Sequence, residues 1–184
     1  FCLHCASQLN AGVRPLREVP VDEKQMIEAA TAMGFLALYN ADRGTTYEFR
    51  ELSDSPDVIC INTDGEQLGL EVTLTEDCPK DIQAALGRSD HLDIENFEPH
   101  RPASNLQNNV LDSLLHRLKE KLQKNYGART ALVVRSASGV DWDWDAQIQG
   151  LRQQLAGRQN HFDFGVWLVN RRMDRLFKVL EPHE

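Results

Sequence analysis

Apolar positions follow two rhythms along this chain. In residues 67–75, QLGLEVTLT, they alternate: Leu68, Leu70, Val72 and Leu74 share one face of a strand, while Gly69, Glu71, Thr73 and Thr75 share the other. TTYEFREL (45–52) and residues 57–62 read as the two strands before it. The helical rhythm is clearest in Leu111, Leu115, Leu118 and Leu122, which fall at i, i+4, i+7 and i+11, with Leu114 widening the stripe. That spacing predicts a long helix over 105–125, stopped by Gly127. An earlier helix is expected from Asp22, where Gln25 completes a DxxQ capping box; Met26, Ile27, Ala30 and Met33 form its apolar stripe and Gly34 its end. RTALVVRS is the continuous apolar run of a buried central strand. DWDWDAQIQGLRQQLAG reads as caps leading into a helix that ends at Gly157, with one of Trp142 and Trp144 packing on the sheet. FDFGVWLVN and RLFKVLEP supply two last strands, and a short helix at 80–87 is expected within an otherwise irregular 76–104. The order α-β-β-β-α-β-α-β-β describes an α/β fold, a mixed central sheet flanked by helices. Residues 1–21, with Pro15 and Pro20, read as an arm, and 22–184 as the domain.

The pattern raises a question at the second and third strands, because each carries an acid. Whether Asp57 and Glu71 share a face depends on the connection between them. A two-residue turn at Asp64-Gly65 would set Asp57 against Val72 and send the carboxylates to opposite faces. A three-residue loop, TDG, with Gly65 left-handed in a bulge, pairs Asn62 with Glu66 and sets Asp57 against Glu71. Only the second register puts Val58 and Cys60 on the same face as the leucines, so it is the one the apolar pattern favours. Two like charges directly opposed in a sheet cost roughly 0.2–1 kcal/mol. Such a pair is ordinarily neutralised by a cation or by a proton, and hard oxygen ligands suit Mg²⁺ or Mn²⁺.

Composition narrows the classes. A net charge of −8 argues against a generally basic nucleic-acid-coating protein, though not against an enzyme that gathers carboxylates and places its basic residues locally. No apolar run approaches the ~20 residues of a membrane span, so no membrane partner is expected. The four cysteines do not form a secreted disulfide framework, which points to a reducing, cytoplasmic setting. The chain opens at Phe1 rather than Met and reads as a segment of a longer protein. Cys2-x-x-Cys5 is half of a Zn²⁺ site, to be completed from upstream or by His4, His91 or His100. No Walker or Rossmann glycine pattern is present, and Ser136 and Ser138 have no accompanying His–Asp arrangement for a nucleophilic triad.

Pro56-Asp57 followed fourteen positions later by Glu71-Val72-Thr73 resembles the PD-(D/E)XK nuclease superfamily, named for a Pro-Asp and an acid-x-Lys on adjacent strands. The helix before the hairpin and the helix–strand pattern after it are similar to that fold as well. The resemblance implies a restriction-endonuclease-like domain that hydrolyses phosphodiesters of DNA, or less in keeping with it RNA, with Asp57 and Glu71 holding Mg²⁺ or Mn²⁺. It also implies a further metal-shell carboxylate from the first helix, for which Glu23 is the candidate. The sequence departs from the pattern at Thr73, which stands where the motif has Lys. Lys121, one heptad after Leu114 at the edge of the long helix's buried stripe, is the candidate replacement; Lys80, Lys119 and Lys124 are the others. The alternative reading is a catalytically inactive nuclease fold that binds nucleic acid or protein, and either reading is compatible with a zinc-binding arm.

Overall fold

Every alternating or continuous apolar segment singled out above joins one sheet. The computed structural model describes residues 23–75, 103–136 and 143–182, and their elements run α1 (Glu23–Arg43), β1 (Glu48–Leu52), β2 (Val58–Ile61), β3 (Gln67–Leu74), α2 (Ala103–Leu122), β4 (Thr130–Arg135), α3 (Trp144–Leu155), β5 (Val166–Val169) and β6 (Leu176–Leu180). The expected element order therefore holds. The six strands lie in the order β1-β2-β3-β4-β5-β6. β1, β2 and β3 form an antiparallel meander, β4 and β5 continue parallel to β3, and β6 returns antiparallel. The expected helix at 80–87 and the turn at 137–142 lie outside the described residues, as do Lys80, Trp142 and the whole 1–22 arm.

Two cores cover the two faces. Leu68, Leu70 and Val72 of β3, Val58 and Cys60 of β2, Ala131 and Val133 of β4, and Trp167 and Val169 of β5 pack under Ala32, Phe35, Leu36 and Tyr39 of α1. On the reverse face, Leu132, Val134, Val166 and Leu168 meet the leucines of α2 together with Trp144, Ile148, Leu151 and Leu155 of α3. β4 and β5 are thus covered on both sides, as parallel strands require. Trp144 is the aromatic that packs inward from the α3 entrance, where Asp143 caps the helix by accepting from Ala146 N at 3.3 Å.

α1 corrects the sequence reading. Met26 and Met33, expected in its buried stripe, are 42% and 48% exposed. The helix also runs through Gly34, expected to end it, and on to Arg43. The buried line is instead Glu28, Ala32, Phe35 and Tyr39, spaced i, i+4, i+7 and i+11. The aromatic half sets this line: Phe35 and Tyr39 close on each other at 5.0 Å, and Tyr39 meets Trp167 edge-on at 5.4 Å. Gly34 serves packing, since a Cβ there would stand 2.6 Å from Met173 Sδ. The stop comes at Gly44, left-handed at φ +65°. β1 starts later than expected because Asn40 claims the residues before it, accepting from Tyr47 N at 3.0 Å and donating to Tyr47 O at 2.8 Å.

Gly69 fixes the approach to the second strand. A Cβ on it would lie 2.5 Å from Pro56 Cγ and 3.2 Å from Thr130 Oγ1. Neither neighbour is the loose end of a flexible side chain, so Gly69→Ala is expected to cost about 1–3 kcal/mol by overpacking. Since Pro56 precedes Asp57, the same change should disturb the acid, and the check is a thermal melt read beside any metal response.

Candidate functional site

The turn between β2 and β3 is the bulged three-residue loop. Asn62 N donates to Glu66 O at 3.0 Å, Gly65 N donates to Asn62 O at 3.1 Å, and Gly65 is left-handed at φ +82°. The Asn62 side chain closes the loop from within, its Oδ1 accepting from Asp64 N at 3.0 Å and Glu66 N at 2.8 Å. The ladder that follows pairs Ile61 with Gln67 and Val58 with Leu70, and one further step sets Asp57 opposite Glu71.

Both acids are buried, Asp57 to 6% and Glu71 to 5% exposure. β2 ends at Val58 while β3 continues, which leaves the Val72 N–H pointing at a missing strand. Asp57 Oδ2 accepts that N–H at 2.8 Å, so the side chain takes over where the backbone ladder stops. Asp57 Oδ1 lies 3.8 Å from Lys24 Nζ, and the same ammonium lies 2.9 Å from Glu28 Oε1, one turn along α1. Glu71, on the α2 face with Thr73, accepts a hydrogen bond from Lys121 Nζ. Tyr126 stands by this pair: Lys121 Nζ is 5.6 Å from its ring centroid, and the ring stacks on Phe162 at 5.4 Å. Thr73 is buried to 8% exposure at the motif's third place.

A buried carboxylate must be paired or protonated. Burial raises Glu71 above the usual carboxylate range, and the charge on Asp57 adds to this against the opposing pull of Lys121. Glu28 is raised in the same way, by burial first and by Asp57, with Lys24 opposing. Burial pulls Lys121 down, but its hydrogen bond to Glu71 and the surrounding negative charge outweigh that and leave it raised. Lys24 is raised chiefly by its hydrogen bond to Glu28. The charge that the sequence pattern demanded for the opposed acids is therefore supplied, within the chain, by two ammonium groups brought in from opposite sides of the sheet.

The structure brings Asp57, Glu71 and Lys121 together, with Thr73 two residues beyond Glu71 on the same face of β3. The other lysines lie elsewhere: Lys119 of α2 lines a cavity of about 310 Å³ with Arg158 and His161, outside the acid cluster, and Lys124, past the end of α2, is exposed. Glu23 opens α1, and its side chain lies outside the described residues; the α1 acid that stands with Asp57 is Glu28. Cys2 and Cys5, the expected zinc ligands, are also outside them. Among the described residues, no three His, Cys, Asp or Glu side chains converge as a group that could hold a metal ion, and no helix is long and apolar enough to cross a membrane. Cys60 is a buried free thiol, pushed up to about 12 by burial. Sequence reasoning missed Lys24, Glu28 and Tyr126. The i, i+4 spacing of Lys24 and Glu28 was readable, but such pairs are common on solvent-facing helices and carry no sign of burial.

Fold and site together define a mixed α/β domain with a buried acid–lysine cluster at the point where a short strand ends beside a longer one. Comparison with family models, curated proteins and solved structures returns no match.

Proposed function

We propose that this chain is a divalent-metal-dependent, restriction-endonuclease-like nuclease domain that hydrolyses phosphodiesters of DNA or RNA. One observation carries the reading: Asp57, one step past the end of the β2–β3 ladder, comes level with Glu71, and Lys121 delivers an ammonium to Glu71 from α2. The element order α-β-β-β-α-β, with β4 parallel to β3, supports the likeness to the PD-(D/E)XK fold. The acids fit Mg²⁺ or Mn²⁺ in kind, since Asp57 and Glu71 offer hard oxygens with no soft ligand beside them, and such ions keep water and substrate phosphate oxygens for the rest of their shell. When bound, such an ion supplies a nucleophilic hydroxide from water and steadies charge on the scissile phosphate. The chain's own residues do the remainder. Asp57 is held in one orientation by Val72 N, Glu71 is held by the hydrogen bond from Lys121, and Lys121 provides the positive charge that Thr73 cannot.

A second reading has its own observation. Lys24 and Lys121 already neutralise both acids, and Thr73 removes the motif's lysine, as expected of a nuclease fold kept only for binding nucleic acid or protein.

Thermal melting with Mn²⁺ separates the two. A ligand at a hundred times its Kd stabilises by about 2.7 kcal/mol, roughly 5–10 °C for a domain of this size. That rise, with Mn²⁺-dependent cleavage of plasmid or single-stranded substrate, is the expected result. Cleavage that persists in Glu71→Gln would put the chemistry elsewhere, and no shift at millimolar metal would favour the binding module.

A further inference from the structure

Arg135 is the last residue of β4, and among the described residues it is a partly buried cation without an anionic partner. It alternates with Ala131 and Val133, which pack under α1, so its side chain leaves the sheet on the α1 face. It is partly buried, and among the described residues it makes no hydrogen bond or ion pair; burial alone lowers its pKa, with no neighbouring acid to raise it. A guanidinium withdrawn from water without a carboxylate is costly unless something else supplies the anion.

Leu74, Arg135 and Val169 are level across β3, β4 and β5, so Arg135 stands at the carboxyl end of β4, beside the ends of its two parallel neighbours. Ligands of open α/β sheets bind outside those ends.

The β5–β6 turn, which begins one residue beyond Val169, carries Arg171 and Arg172, both exposed. It is a rigid turn. Buried Asn170 accepts from Asp174 N and Arg175 N at 3.0 Å each, Met173 N donates to Asn170 O at 3.0 Å, and Met173 is left-handed at φ 55°.

We infer that Arg135, with the Arg171–Arg172 turn beside it, is a phosphate-anchoring subsite that grips the nucleic-acid strand away from the scissile bond. The planar guanidinium fork matches a phosphate's oxygens and is preferred to an ammonium for that contact. Arg135 leaves the sheet on the α1 face and Glu71 on the α2 face, their backbones roughly 11 Å apart by ordinary strand spacings, so the anchored phosphate lies across the end of the sheet from the scissile one. The identity of the ligand rests on the nuclease reading; the orphan guanidinium does not.

The test is binding of a short fluorescein-labelled DNA duplex in EDTA, where no cleavage occurs, across a salt series. Arg135→Met is expected to weaken binding about tenfold and to reduce the salt slope by about 1, and Arg135→Lys to keep the slope while losing affinity. Arg172→Ala, an exposed change that leaves the core untouched, should also lower the slope by about 1, and it decides the matter if Arg135→Met fails to fold. Wild-type slope and affinity in these variants, or no duplex binding by wild type, would overturn the subsite. If wild type binds through Arg135 yet cleaves nothing with Mn²⁺, the subsite stands and the nuclease reading fails. If wild type cleaves while Arg135→Met binds as tightly as wild type, the reverse holds.

Discussion

Asp57→Asn is expected to fold normally and to lose both the Mn²⁺-dependent rise in Tm and the cleavage, the latter by about 100-fold or more, beyond what loss of an outer-shell partner costs. The separation of effects follows from what the two carboxylate oxygens do. Oδ2 takes the Val72 N–H at 2.8 Å, and an amide oxygen can take it as well. Oδ1 faces Lys24, whose side chain is 73% exposed and keeps Glu28, so the lost ion pair costs little. What disappears is the negative charge that a dication needs. Asp57→Ala is the contrasting control: it orphans a buried N–H past the end of β2 and should cost about 1–3 kcal/mol before any metal is added. The measurement is a pair of thermal melts with and without Mn²⁺ for each variant, beside a plasmid cleavage assay. An Asp57→Asn protein that still melts higher with Mn²⁺ would remove Asp57 from the metal site.

Lys121→Met is expected to destabilise the domain by about 3 kcal/mol at neutral pH, the lower end for breaking a buried pair, because Glu71 stays buried with its partner gone. The sign of the pH dependence identifies the cause. Glu71 titrates above its ordinary 4.5 in the folded protein, so its ionised form is the one that folding disfavours. Its favourable contribution is complete below about 4.5 and is lost as pH rises through the raised folded value. Removing Lys121 raises that value further, so the deficit of Lys121→Met should be largest above it and shrink on acidification. In the double variant with Glu71→Gln the neutral-pH loss should largely vanish, since the unpaired charge is gone. Urea unfolding of the four proteins across pH measures this cycle. A deficit of the same size at acid and neutral pH would mean that Lys121 acts through packing of its stem rather than through its charge.

Metal binding at the proposed site would share this linkage. Glu71 must be ionised to serve as a ligand and is raised by burial, so the Mn²⁺ response should fade at a pH above that of ordinary carboxylates as the solution is acidified. In the free protein Lys24 opposes the effect of burial on Glu28, and Lys121 opposes it on Glu71. Lys24 and Lys121 are both raised, so they remain charged throughout this range.

Sheet and register were legible in the sequence because both rest on local rules. Strict alternation in 67–75 fixes which side chains share a face, and the only loop consistent with the apolar positions of both strands is the one with left-handed Gly65, so Asp57 opposite Glu71 followed from counting. The leucine spacing of α2 placed Lys121 at the edge of the buried stripe for the same reason. α1 was misread because its two halves offer competing stripes. Met26 and Met33 are as apolar as the residues that won, and only docking against Trp167 decided that the Phe35–Tyr39 line faces inward.

What the sequence determined by itself is the order of elements, the turn and the opposition of two acids across a hairpin, all set by near-neighbour geometry. Tertiary structure alone decided how that opposition is tolerated. Lys24 and Lys121 are 97 positions apart in the chain, and only helices packed on opposite faces of the sheet bring their charges to Glu28, Asp57 and Glu71. It also left Arg135 partly buried at a strand end with no acid paired to it among the described residues. Burial and long-range charge are properties of the assembled layers, and no local pattern encodes them.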